Sequence, residues 1–350
     1  MVAGRAREDG IMRTLLLPLL LACLLPGACA QPQEATPHSS STARPLRTTP
    51  LRTTPLRTTP LRARLEALRE VGDGQPALEP RFSPDGSRLA FTGLRYQGLR
   101  VAPVDGGPTL TLSDEPAAGL KPAWSPDGKE IAHLALEADG STVLEVRSTS
   151  GGEARQVHRA GSDEPRPFPH YVDGALAFLS RGQLRTATRA LFEPLPDALL
   201  VAPANGSLLV AGETGVRLAN QTLLEGRRIF DLAPGPDGRR ALVRELPPDG
   251  GGALWSVDLA TGQAVHLAGY DRGCLLPSGR IVAERLAGDG LQLTGGELWL
   301  MEADGSRAAK IEGIPVQVPY RVDCSPRGSL IAFGDDATDR VFVGRLEVAP

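Results

Sequence analysis

A chain of 350 residues with 38 basic and 41 acidic side chains carries a net charge of only −3, which excludes a whole-protein field steering it to nucleic acid or to an anionic membrane. Aromatic residues make up just 4 %, whereas 40 Gly and 31 Pro supply frequent turns, and short apolar runs between turns favour β structure over long helices. The cysteines, Cys23, Cys29, Cys274 and Cys324, form no CxxC pair or Cys/His cluster, which argues against a structural zinc site.

Residues 1–29 read as a signal peptide. An apolar run over 15–25 follows Arg13 and is too short and too proline-marked to span a membrane; translation from Met12 rather than Met1 would give the cleaner signal. Three processing outcomes compete. Ala28-Cys29-Ala30 permits cleavage before Gln31. Leu25-Pro26-Gly27-Ala28-Cys29 resembles a bacterial lipobox, with Pro26 where leucine is usual, and Leu20-Leu21-Ala22-Cys23 resembles another with a shorter apolar core. Cysteine parity favours processing at Cys29 by either route, because that leaves Cys274 and Cys324 as a pair in an oxidising compartment, whereas lipidation at Cys23 leaves Cys29 as an odd thiol; of the two routes, lipidation at Cys29 is the expectation. The expectation is an exported protein, periplasmic or anchored to the outer membrane as a lipoprotein, otherwise secreted, meeting the membrane through its lipid anchor only.

Residues 30–62 form a spacer in which Pro-Leu-Arg-Thr-Thr recurs almost without error. A five-residue repeat with a proline each time cannot build a packed core. Proline favours extended backbone and the arginines repel one another, so thirty-odd residues at ~3.1 Å each would reach roughly 100 Å. The alternative is adhesion of Arg47, Arg52, Arg57 and Arg62 to an anionic envelope polymer. Next, Leu61, Leu65, Leu68 and Val71 recur at helical spacing ahead of Gly72, which predicts a short linker helix over 63–74.

From 75 to 350 the chain repeats a weak pattern with a period near 40 residues. The clear copies are Phe82-Ser83-Pro84-Asp85-Gly86 and Trp124-Ser125-Pro126-Asp127-Gly128. Pro236-Asp237-Gly238 and Ser325-Pro326-Arg327-Gly328 are partial, and turns ending at Gly174, Gly206 and Gly279 are eroded. Proline presets φ for a tight turn, Asp tolerates the next position, and Gly takes φ > 0. The third and fourth residues after each glycine are apolar: Leu89-Ala90, Ile131-Ala132, Ala177-Phe178, Leu209-Val210, Ala241-Leu242, Val282-Ala283 and Ile331-Ala332. Adjacent residues of a strand face opposite ways, so each of these strands is buried on both faces. That predicts an all-β fold, a β-propeller of about seven four-stranded antiparallel blades, with six the alternative. The last repeat runs short of strands, and its outermost one is expected from residues just before Phe82, tying the two ends of the domain together.

The Phe/Trp-Ser-Pro-Asp-Gly phrases at Phe82 and Trp124 resemble the WD40-like repeat of TolB-type propellers, also found in propellers fused to prolyl-oligopeptidase-like peptidases. The resemblance covers roughly 75–350 and implies the fold; it transfers no binding residue.

There is no Gly-x-Ser-x-Gly elbow, no phosphate-cradling loop and no spacing that makes metal ligands of His38, His133, His158, His170 and His266, so no catalytic, cofactor or metal residue is assigned. His158 and His170, bracketing Asp163 and Glu164, are the strongest polar candidate. Asp139 and Asp304 belong to turns rather than calcium loops; Asp335, Asp336 and Asp339 are expected to be solvated. Cys274 and Cys324 lie five and four residues before their turn glycines, an offset that faces them toward each other on neighbouring blades and predicts a disulfide. The leading function is therefore a non-catalytic, monomeric cell-envelope scaffold binding a protein or polymer and no nucleic acid. The alternatives are a propeller hydrolase or lyase acting on an envelope polysaccharide, and a Tol-Pal-like accessory protein.

Overall fold

The computed structural model describes residues 60–349 except 192–197, 205–206, 213–214, 220, 248–251 and 289–291; Cys23, Cys29 and the repeat up to residue 59 lie outside the described residues. Among the described residues every element is a strand save one 3-10 turn at Leu94–Tyr96. The chain enters with β1 (Arg62–Val71). Five antiparallel sheets then follow in turn: β2 (Leu78–Phe82), β3 (Arg88–Thr92), β4 (Leu99–Pro103) and β5 (Leu110–Ser113); β6 (Ala123–Trp124), β7 (Glu130–Leu136), β8 (Thr142–Ser148) and β9 (Arg155–Ala160); β10 (Pro169–Val172), β11 (Ala175–Ser180) and β12 (Gln183–Arg185); β13 (Ala198–Ala204), β14 (Ser207–Gly212), β15 (Gly215–Leu218) and β16 (Gln221–Glu225); β17 (Ile229–Pro234), β18 (Arg240–Glu245), β19 (Ala253–Asp258) and β20 (Ala264–Leu267). The rest, β21 (Arg272–Leu275), β22 (Ile281–Gly288), β23 (Leu293–Met301), β24 (Ala309–Glu312), β25 (Pro319–Cys324), β26 (Leu330–Asp335) and β27 (Arg340–Ala349), join β1 in one eight-stranded sheet.

Turn chemistry sets the inner hairpins. Gly86 and Gly128 hold φ of +74° and +70°, and their N–H groups donate to the Ser83 and Ser125 carbonyls at 2.8 Å. Asp85 Oδ1 accepts from Ser83 Oγ at 2.6 Å and from the Ser87 N–H at 3.0 Å; Asp127 does the same with Ser125 Oγ and the Lys129 N–H at 2.7 and 3.1 Å. Asp237 accepts the Arg239 N–H at 3.0 Å. Where Arg327 replaces Asp, Ser325 Oγ accepts the Arg327 N–H instead, at 3.3 Å.

The strand after each turn is shielded on both flanks. All fourteen residues of the seven adjacent apolar pairs are at most 5 % exposed. The core is accordingly a series of layers between neighbouring sheets: Phe82 and Phe91 pack with Ala332 and Val341, Leu209 and Val216 with Val243 and Val257, Leu242 and Leu254 with Ile281 and Ala283. Interlocking sheets in this way is what a propeller does.

The expectation of an all-β propeller of antiparallel, mostly four-stranded blades is met, while the count of about seven is not seen in the separate sheets. Five sheets stand separately, four of four strands and one of three. The run β21–β24 and the run β25–β27 with β1 are fused, because β24 pairs in parallel with β1 at Ala63↔Ile311. The linker helix is a correction. Residues 62–71 are the strand β1, antiparallel to β27 with Leu65↔Leu346 and Val71↔Val341, so the N-terminal side supplies the outermost strand of the last repeat. The register shifts between Glu66 and Arg69, with Ala67 at φ +50°. This bulge adds a residue, so Leu65 and Leu68 share one core layer at a three-residue step while Val71 packs in another, and the combined spacing mimics a helix.

Candidate functional site

The first strand of each unit lines a central cavity of about 630 Å³, with β2, β6, β10, β13, β17, β21 and β25 all contributing to its wall. Cys274 on β21 and Cys324 on β25 form a disulfide in that wall, with Cα atoms 5.5 Å apart. Phe82, Trp124 and His170 face the same space.

One end of the channel is built by a single position of the repeat. The residue seven before each turn glycine is Glu79, Lys121, Pro167, Leu199, Asp231, Arg272 or Arg321. Five of the seven are charged, and these five line a second cavity of about 120 Å³ at the mouth, together with Arg81, Tyr96, Phe230 and Arg244. Lys121 Nζ reaches Asp231 at 2.8 Å, Arg272 stands 3.5 Å from both Asp231 and Glu79, and Arg321 pairs with Glu79. Just inside, Asp323 accepts the Phe82 N–H at 2.8 Å and lies 3.7 Å from Arg81, while Glu284 accepts the Val322 N–H.

Local backbone explains how these side chains are aimed. The inner strands carry bulges at the mouth, with register shifts at Leu78/Arg81, Ala198/Leu200, Ile229/Asp231 and Tyr320/Asp323. A bulge redirects the side chain of the extra residue, here Glu79, Leu199, Phe230 and Arg321. Glu79, Tyr96, Lys121 and Arg321 all hold φ between +51° and +61°. Non-glycine residues in this region store strain, and such strain gathers at functional sites. Leu199 and Phe230 are the most exposed large apolar side chains described, at 60 % and 53 %.

The electrostatics follow from burial. Desolvation raises the Asp231 carboxyl, but Lys121 and Arg272 outweigh it and hold the group below its usual range. Burial pushes Asp323 and Glu284 above theirs. Burial, reinforced by Lys121, brings His170 down to about 4 and leaves it neutral at physiological pH.

Among the described residues, His170 alone of the polar sequence candidates lines the cavity. His158 stacks on Phe178 with ring centroids 4.5 Å apart, and Glu164 pairs with Arg181, so these two serve other neighbours and do not join His170 in one site. Asp139 and Asp304 accept the N–H groups of Ser141 and Ser306 at 2.9 Å in their turns. Asp335 corrects the expectation of solvation: it is 2 % exposed and accepts from the Val318 N–H and Thr338 Oγ1 at 3.1 and 2.7 Å. Missed altogether were Arg244, Phe230 and the charged mouth ring. Aligning the repeats seven residues before the glycine would have found the ring.

Comparison with known proteins bears on the fold. No family model matches the chain, and no curated protein does. Among solved structures 796 chains match, so the architecture is common and does not single out a role. One is the β-propeller domain of Cps50 (Swd1) from Myceliophteria thermophila, 13 % identical, with a TM-score of 0.56 over 79 % of this chain and 98 % of that one. The fold resembles a WD40-type β-propeller. At this identity the likeness carries the architecture and nothing of Swd1's own role.

Proposed function

We propose that this chain is an exported envelope protein, lipidated at Cys29 and held off the membrane by its Pro/Arg spacer, whose propeller binds a protein partner without catalysis. The propeller has seven blades on this reading. The eight-stranded sheet divides at its single parallel pairing into two four-stranded blades, and seven inner strands share the channel wall. The observation that carries the binding reading is the exposure of Leu199 and Phe230 beside a charged channel mouth, since exposed apolar side chains rimmed by polar ones mark interaction surfaces. Two experiments test it. Cys29→Ala should abolish incorporation of labelled palmitate, and its persistence would move the anchor elsewhere. Crosslinking in envelope extracts should capture a partner that the Leu199→Ser/Phe230→Ser double variant loses; identical capture by both would refute the surface.

A second reading is a propeller hydrolase or lyase. It draws on His170, Asp231 and Asp323 in one cavity wall, where perturbed titratable groups gather as they do in active sites. Against it, Asp231 and Asp323 are already engaged by Lys121, Arg272, Arg81 and the Phe82 N–H. Turnover of envelope polysaccharide that His170→Gln abolishes would decide for the enzyme.

A further inference from the structure

Cations outnumber carboxylates among the side chains that line the channel mouth, with Glu284 and Asp323 standing just inside it. The ring sets Lys121, Arg272 and Arg321 against Glu79 and Asp231, and Arg244 adds a further cation from the end of β18. Among the described residues no carboxylate lies within ion-pairing distance of Arg244. Its guanidinium rests instead on the ring of the exposed Phe230, 4.8 Å from the centroid. Burial, with the neighbouring Arg272, pushes the Arg244 pKa down against the opposing pull of the Glu284, Asp231 and Asp271 carboxylates, none of which reaches it as an ion pair.

We propose that the mouth takes a carboxylate presented by an extended peptide segment, with Arg244, Arg272 and Arg321 around the anion and the flanking residues of the peptide against Phe230 and Leu199. The cavity of about 120 Å³ has room for a carboxylate and a water or two. Guanidinium groups grip carboxylates with paired, charge-assisted hydrogen bonds. Phe230 and Leu199 offer apolar contact on the adjoining units that carry β17 and β13, as a side chain next to an acidic residue would need. The bulges and left-handed residues that aim this ring hold it ready before any ligand arrives.

The inference rests on the binding reading and specifies its partner chemistry. It is tested with a synthetic library of hexapeptides, each carrying one Asp or Glu among randomised positions, and a matched library carrying Asn or Gln. On the immobilised chain the acid library should be retained about tenfold more than the amide library, the worth of a charge-assisted pair. Arg244→Gln, which breaks no direct ion pair though it weakens the field on Glu284, should cut that ratio to about twofold or less in a chain that still unfolds cooperatively. Equal retention of both libraries, an unaltered ratio in Arg244→Gln, or no retention of either would overturn the proposal. Displacement of bound peptide by millimolar inorganic phosphate but not by acetate would overturn it in favour of a phosphate site. If Arg244→Gln still crosslinks the envelope partner that Leu199→Ser/Phe230→Ser loses, the binding reading survives and the carboxylate falls alone.

Discussion

Leu65 occupies the space that a side chain at position 344 would need: a Cβ on Gly344 would meet Leu65 Cγ at 2.7 Å. Leu65 lies on β1 and Gly344 on β27, so the missing side chain is what lets the N-terminal strand seat against the C-terminal one. Overpacking of this kind costs about 1–3 kcal/mol, and Leu→Ala at a buried site about 2–5 kcal/mol. Gly344→Ala and Leu65→Ala should each lower stability, and the double variant should lose clearly less than the sum of the two. Denaturant unfolding of all four proteins measures the coupling. Losses that add to within about 0.5 kcal/mol would mean the two residues do not meet.

The inner hairpins were legible because their chemistry is local. Asp85 and Gly86 dictate a turn within five residues, and the paired burial of Leu89 and Ala90 follows from strand geometry alone. What escaped was anything set by comparison between distant segments. β1 looked helical because its bulge at Ala67 re-phases the apolar residues, and its partner β27 lies some 280 residues away in sequence, outside any local pattern. The mouth ring is invisible in any single repeat. Glu79 next to Leu78 reads as ordinary strand alternation, and only its place beside Arg272 and Arg321 makes it part of a network.

His133 stands where Phe91 and Phe333 stand in their own repeats, and it is fully buried like them. Its Nδ1 lies 3.1 Å from the Leu134 carbonyl, while Nε2 has no hydrogen-bond partner and sits 3.9 Å from Glu145. Burial brings its pKa from 6.5 down to about 4. Between those values the unfolded chain binds a proton that the folded chain refuses, so the stability contributed by neutral His133 is present above 6.5 and is lost as pH falls toward 4. His133→Phe should therefore raise the melting temperature more at pH 5 than at pH 7.5. A gain that is the same at both pH values would show that His133 is not the titrating group.

The Cys274–Cys324 bridge spans 50 residues of sequence. Closing a loop of that size in the unfolded chain corresponds to about 4 kcal/mol in the chain-entropy model, and measured values for such bridges run at about 2–4 kcal/mol. Cys274→Ser/Cys324→Ser should unfold at a lower denaturant concentration than the native chain. Added reductant should bring the native chain down toward the variant and leave the variant alone. A native midpoint indifferent to reductant would remove the disulfide from the account of stability.

Asp85 makes a pH-dependent contribution of opposite chemical origin to that of His133. Donation from Ser83 Oγ, with the Ser87 N–H behind it, favours the ionised carboxylate and lowers its pKa from 3.8 to about 2. The charged form is thus preferred in the folded turn: its stabilising effect is complete above about 4 and disappears as pH falls through about 2. Asn in its place keeps an acceptor but loses the charge that strengthens both bonds. Asp85→Asn should melt below the native chain at pH 7, with the gap closing steadily between pH 4 and pH 2. Asp127 in the sister turn accepts from Ser125 Oγ and the Lys129 N–H at 2.7 and 3.1 Å, which lower its pKa likewise, so the gap for Asp127→Asn should also shrink as pH falls. Parallel curves across that range for either variant would mean that the turn is held by its proline and glycine backbone alone, with the carboxylate contributing nothing that protonation can remove.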